Sequence, residues 1–481
     1  MASTNANQAE EVEEPSDVER ADVSESQQLL LGWRKPNKML SLPEVHASVP
    51  VPGPQSNWTR KFGAFVGVGF MVSVGYIDPG NWATDLTGGA SFGYTLLIVI
   101  LLANFVAIFL QALCIKLGAV SERDLAQACR DAYPKWVCYV LWLLAEVAIA
   151  ATDLAEVIGS ATALYLLSNG HLPLWGGILI TALDVLFIII FGMKNFRLLE
   201  LFVFCLCALI TGCFVYELAA VKPNWADVGK GFIPKAKIVT DPAILYNAIG
   251  ILGATVMPHN LYLHSSIIQT RAYPRTVAGK KMAIKYGSID STFSLLIAFF
   301  VNASILILAA AAFHYGANPN QNVASLTEAY HLLAPAVGQT AAKYLFAIAL
   351  LASGQNSTIT GTLSGQIVME GFLHFSLPPW VRRLITRCVA IIPAAIVAGI
   401  YGNEGAGKLL VLSQVILSLQ LPFAVIPLVH FTSSRRKMGR FVNNWIIFLI
   451  AAAVALIICV LNVYLLVSSI RDNEFGTAGD V

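Results

Sequence analysis

The chain has 481 residues, of which 56% are hydrophobic and 12% charged, whereas a soluble globular protein carries roughly 25% charged residues. This excludes a soluble globular fold, and a formal net charge of +2 gives no sign of nucleic-acid binding. The eight cysteines fall in or beside apolar segments, which argues against a disulfide framework and makes Cys205 and Cys207 helix surface rather than a metal pair.

In chain order, residues 1–57 read as a disordered cytosolic tail, acidic from Glu10 to Glu25 and without a secretory signal. Inside it, the stretch from Glu25 to Leu29 and Leu30 fits an acidic dileucine pattern for a sorting adaptor. A spanning helix needs roughly 20 apolar residues. Eleven candidates follow, at 62–90, 93–118, 137–166, 172–191, 197–220, 242–268, 287–314, 341–373, 383–401, 407–431 and 442–468.

Basic residues occupy every second connection: Arg60 and Lys61, then Lys116 to Lys135, Lys194 and Arg197, Arg271 to Lys285, Arg382 to Arg387, and Arg435 to Arg440. By the positive-inside rule these loops and the N-terminus are cytosolic. The outer loop 221–241 is the exception, with Lys222, Lys230, Lys235 and Lys237.

The first and sixth spans are interrupted. Asp78-Pro79-Gly80-Asn81 and Met257-Pro258-His259-Asn260 share proline at the second place and asparagine at the fourth. Five spans separate their starts, so the halves 58–220 and 242–431 have opposite orientation, with 432–481 holding the eleventh helix and a short tail. Paired broken helices in inverted halves point to a secondary transporter with its site at the bilayer midplane. Proline removes a donor, which frees the carbonyls of Gly75 and Ala254. Asp78, Asn81 and the Met257 thioether complete an oxygen-rich set with one soft donor, suited to a first-row transition ion rather than to magnesium or calcium. A buried methionine is often only a gap-filler, but this one adjoins a paired break. Asp78 is functional by default, because acids inside a membrane are costly. Asp85 reads as a cap or interfacial partner.

These motifs, with Ala254-Thr-Val and Leu261-Tyr-Leu-His264 beside them, closely resemble the signatures of Nramp-type (natural resistance-associated macrophage protein) proton-coupled divalent metal transporters. The likeness runs from 58 to 468 and includes Ser353-Gly-Gln-Asn-Ser-Thr-Ile-Thr-Gly361, Ser413-Gln-Val415 and Leu421-Pro-Phe-Ala424. It implies an all-α integral membrane protein with a leucine-transporter-like fold, 5+5 inverted repeats and discontinuous helices 1 and 6. It also implies manganese or ferrous iron, and more broadly cadmium and cobalt, as substrate, held by Asp78, Asn81, the Ala254 carbonyl and Met257, with Gln414 joining in some conformations. No cofactor is implied, since the metal ion is the cargo.

Glu146, Asp153 and Glu156 lie seven and three residues apart, on one face of the third span, and suit a proton relay. The resemblance adds an arginine at the ninth span, Arg382 or Arg383. His259 is a candidate link between metal and relay, or a packing residue; His264 and His314 read as packing. The expected activity is proton-coupled metal import by alternating access, at the plasma membrane or an endosomal or vacuolar membrane. The alternatives are a sodium-coupled amino-acid transporter of the same fold and a metal-sensing protein on a transporter scaffold. No nucleophile and base pairing suggests an enzyme.

Overall fold

A computed structural model of the chain describes residues 33, 40–53, 56–181, 196–316, 326–330, 340–373 and 379–471. The dileucine pattern at Glu25–Leu30 lies outside them. Apolar runs become helices, because in hydrocarbon each backbone group must be paired within its own segment. In order these are α1 (Trp58–Phe65), α2 (Val68–Ser73), α3 (Pro79–Phe92), α4 (Leu97–Ser121), α5 (Leu125–Ala132), α6 (Lys135–Leu167), α7 (Leu174–Thr181) and α8 (Phe196–Val221). Then follow α9 (Pro242–Thr255), α10 (Pro258–Ile267), α11 (Val277–Ala309), α12 (Thr340–Leu373), α13 (Pro379–Thr432) and α14 (Trp445–Arg471). The long α6 packs along α12 and α13, and α11 packs along α2, α3 and α4.

Among the described residues six stretches are long and apolar enough to cross a membrane: Pro79–Ser121, Lys135–Leu167, Phe196–Val221, Val277–His314, Gly405–Thr432 and Trp445–Val467. The spans expected at 62–90 and 242–268 are cut into shorter helices, and the one at 172–191 runs out of the described residues. Between the ninth and tenth spans the sequence places a connection at 402–406, but the backbone stays helical through it. A helix of that length would reach about 80 Å at 1.5 Å per residue, more than one bilayer crossing uses.

Both interruptions are stops and restarts of the helix. A 3₁₀ turn at Val74–Ile77 ends at Asp78, whose extended backbone (φ −67°, ψ 161°) caps α3. Met257 (φ −77°, ψ 126°) stands in the same place before α10. Pro79 and Pro258 each occupy the first helical position, where no N–H is needed and the fixed φ is an advantage.

A third break carries no proline. Between α1 and α2, Gly67 adopts φ +114°, a conformation glycine reaches without strain, and a Cβ there would also lie 2.7 Å from the Glu200 carboxylate. The carbonyls that end α1 are taken up by two arginines. Arg271 donates to Ala64 O at 2.9 Å and to Val66 O at 3.2 Å, and Arg197 to Val66 O at 2.6 Å and Gly63 O at 3.0 Å. Glu200 pairs with Arg271 at 2.7 Å and with Arg197 at 2.9 Å, while the buried Asp290 accepts from Gly69 N at 2.6 Å.

The expectation of a disordered tail through residue 57 is corrected for its last part. Ser41 Oγ donates to Asp124 Oδ2 and lies 2.6 Å from Ser266 Oγ, Ala47 N donates to Gln269 O, and Val49–Pro50 forms a parallel pair with Arg271–Ala272. Trp33 packs on Phe431 and receives the Arg123 and Lys437 cations on its ring. The stretch is too polar to read as core, yet Trp33, Leu42 and Val49 are each buried. Burial pushes the Asp124 carboxyl up to about 6, against the pull of the Ser41 and backbone donors. Ser41→Val leaves that carboxylate short of a partner, a loss of about 1–3 kcal/mol. The expected result is roughly tenfold faster hydrogen exchange at the Ala47 amide; unchanged exchange would mean that the strand pair alone holds the segment.

Candidate metal site at the paired helix breaks

The two restarts bring their caps together. Asp78 Oδ1 accepts from Asn81 N at 2.8 Å and from Asn81 Nδ2 at 2.6 Å, and the same Nδ2 donates to Ala254 O at 2.9 Å, at the end of α9. With both neighbours acceptors, the amide must point its nitrogen at them. That leaves Asn81 Oδ1 and Asp78 Oδ2 buried without hydrogen-bond partners. Gln414 packs its amide against Gly80, within the same group as Asp78 Oδ2, and its Oε1 is also without a partner. Met257 is fully buried in a cluster with Ala148 and Leu417. The sequence-predicted residues Asp78, Asn81, Ala254 and Gln414 thus converge, with Met257 three residues along from Ala254.

Unwinding frees backbone groups that must be paired elsewhere. The Tyr76 carbonyl accepts from Asn302 Nδ2 at 2.8 Å, and the Ile77 carbonyl from Trp82 Nε1 at 3.0 Å and from Ser353 Oγ. Trp82 is locked between Phe214 and Phe346. Asn302 and Ser353 were not among the expected site residues; the polar run beginning at Ser353 was the available signal. Among the described residues no three His, Cys, Asp or Glu side chains gather as a metal cluster. What gathers here is instead one carboxylate, the amide oxygens of Asn81 and Gln414, and a backbone carbonyl. Asp85 is buried, with Oδ2 unpartnered.

The acidic stripe of α6 is only partly gathered. Asp153 and Glu156 are buried and both approach Gly361 of α12, at 3.5 and 3.0 Å from the position of a Cβ. Glu156 accepts from Ser357 Oγ and Thr358 Oγ1, each at 2.9 Å. Glu146 is half-buried beside Trp142 Nε1, two turns away. His259 Nδ1 lies 3.4 Å from Thr152 Oγ1, next to Asp153 in sequence, and its Nε2 is unpartnered. Arg382 and Arg383 fall in α13, but their side chains lie outside the described residues. His264 bonds Gln111 at 2.8 Å and His314 the Ala90 carbonyl at 3.0 Å.

The profile of the Nramp family, described as natural resistance-associated macrophage protein-like, matches residues 69–468. The chain belongs to this family. It is 57% identical over 434 residues to the divalent metal cation transporter MntH of Listeria monocytogenes serotype 4a, covering 90% of this chain and 96% of that protein. To MntH of Nostoc sp. it is 56% identical over 435 residues, covering 90% and 97%. Its fold is similar to the crystal structure of the Eremococcus coleocola manganese transporter in complex with an aromatic bis-isothiourea substituted compound. The TM-score there is 0.83 at 39% identity, with 92% of this chain and 93% of that one covered. MhsT in complex with L-phenylalanine, at 15% identity and a TM-score of 0.58 over 82% of this chain and 98% of that one, shares the fold alone. This Nramp-family chain is accordingly a membrane transporter of leucine-transporter-like fold and not an enzyme.

Proposed function

We propose that the chain is a proton-coupled secondary transporter that carries divalent transition-metal ions, manganese and ferrous iron foremost and cadmium and cobalt more broadly, toward the cytosol by alternating access. The observation that carries this reading is the set of three buried oxygens without partners, Asp78 Oδ2, Asn81 Oδ1 and Gln414 Oε1, beside the Ala254 carbonyl; Met257, three residues on and also buried, would add its thioether. Such oxygens are costly to bury unpaired, and an incoming cation satisfies them. The thioether selects for borderline ions over calcium and magnesium. The relatives named divalent metal cation transporters and the manganese transporter of similar fold agree with that choice.

For the coupling ion, Glu156 and Asp153 face the same glycine of α12, and His259 of the second motif lies against Thr152, the neighbour of Asp153. A dication at Asp78 favours its ionised form and releases a proton, which this group of acids and imidazole can accept. Metal enters from the outer or lumenal side and leaves to the cytosol, where the N-terminus lies, in the plasma membrane or an endosomal or vacuolar one.

The test is manganese uptake into proteoliposomes under an imposed inward proton gradient, with calcium and magnesium as competitors. Gradient-stimulated uptake is the expected result. In Met257→Ala the KM for manganese is expected to rise about tenfold, with calcium becoming an effective competitor. Gradient-insensitive uptake would remove proton coupling from the reading, and an unchanged preference in the mutant would remove the role of sulfur.

A further inference from the structure

The correspondence between the two motifs extends beyond the residues that share a type. Asp78 and Met257 are both extended caps, Pro79 and Pro258 both first helical residues, and Asn81 and Asn260 both third. Three places before each cap stand Gly75 and Ala254. Asn81 reaches into the other half, where its Nδ2 donates to Ala254 O. Asn260 makes the reciprocal approach to the first half. A Cβ on Gly75 would lie 3.0 Å from Asn260 Cγ and Oδ1 and nearer still to Nδ2. Asn260 is fully buried, and neither Nδ2 nor Oδ1 has a hydrogen-bond partner.

We propose that Asn260 is a positioning residue of the transport site: its amide rests on the backbone of Gly75 and sets the unwound segment whose end, three residues on, is Asp78. The inference rests on the transport reading above and adds a residue to it. It also accounts for an asymmetry between the motifs. Asn81 meets residue 254 through its carbonyl, so a methyl group is tolerated and alanine stands there. Asn260 meets residue 75 over the Cα, so only glycine leaves room. A leucine has the same branched outline and would leave no unpaired buried polar atoms. In this structure the contact with Gly75 is one of packing, since neither amide atom is hydrogen-bonded.

The experiment is a double-mutant cycle on the full chain in proteoliposomes, with Asn260→Ala, Gly75→Ala and the pair, read as KM and Vmax for manganese and as manganese affinity by calorimetry. Each single change is expected to raise KM about tenfold, with Vmax within about twofold. The first loses the support of the segment and the second pushes the segment away. In the pair the new methyl fills the space the amide left, and KM returns to within about threefold of wild type. Single effects that simply multiply, or a wild-type KM in Asn260→Ala, would overturn the proposal. Melting temperature and elution profile report folding, and Asn260→Ser replaces Asn260→Ala if the latter does not fold. A wild-type protein that neither takes up nor binds manganese would overturn the transport reading instead, whereas multiplying effects in an active transporter strike only at Asn260.

Discussion

Asp78→Asn is expected to abolish manganese uptake, lowering it by roughly 100-fold or more while the protein folds normally. Asparagine caps a helix as well as aspartate does, and the interaction that starts α3, Asn81 N to Asp78 Oδ1 at 2.8 Å, needs only an oxygen. What the substitution removes is the charge, and with it the lone carboxylate among Asp78, Asn81, Ala254, Met257 and Gln414. Loss of one buried charge from a charged contact costs about 2–5 kcal/mol, and each 1.4 kcal/mol is a factor of ten in affinity. Two measurements separate this from a folding defect: melting temperature, expected within about 2 °C of wild type, and manganese affinity by calorimetry, expected to collapse. Full uptake by Asp78→Asn would mean that the metal binds elsewhere.

Asp78 and the rest of the candidate site could be named from the sequence because each part announces itself locally. An aspartate and a proline inside an apolar run have few structural excuses, and a second proline motif five spans later supplies the partner. The features that stayed hidden depend on residues far apart in the chain. Gly67 lies in an apolar stretch with two other glycines nearby, and nothing in its neighbourhood marks it as a break. The reason it is one sits at Arg197, Glu200, Arg271 and Asp290. Asn260 was visible as a motif letter, but its role depends on Gly75, 185 positions earlier by subtraction of the two residue numbers. The docked segment at 40–53 failed for another reason. Composition averages over a window, and a few buried anchors such as Leu42 and Val49 do not lift a polar stretch above the threshold for a tail. In the stripe of α6, helical spacing put Glu146 on the face of Asp153 and Glu156 but could not say that Glu146 would be half-buried where the other two are buried.

The hidden break yields the other large effect. Arg271→Ala is expected to lower stability by about 3–5 kcal/mol, the usual cost of removing one member of a buried charge cluster. The cluster is balanced, with Arg197 and Arg271 against Glu200 and Asp290, and Arg271 is its fully buried member at 0% exposure, whereas Arg197 is 39% exposed. Without Arg271 the Glu200 carboxylate keeps only the partly hydrated Arg197, and the Ala64 and Phe65 carbonyls lose a donor in a place water does not reach. Arg197→Ala should cost less, because water can replace part of what it supplies. The effect should also be local. These contacts tie α1, at the start of the first broken helix, to α8 and the strand after α10, so weakening them frees α1 to swing before the rest of the protein unfolds. Hydrogen exchange of α1 amides is therefore expected to accelerate in Arg271→Ala well beyond the change seen in α6 or α12. A cysteine at Gly63 should become more reactive toward a water-soluble thiol reagent. Uniform acceleration throughout the protein would assign the cluster to global stability and leave the movement of α1 to some other hinge.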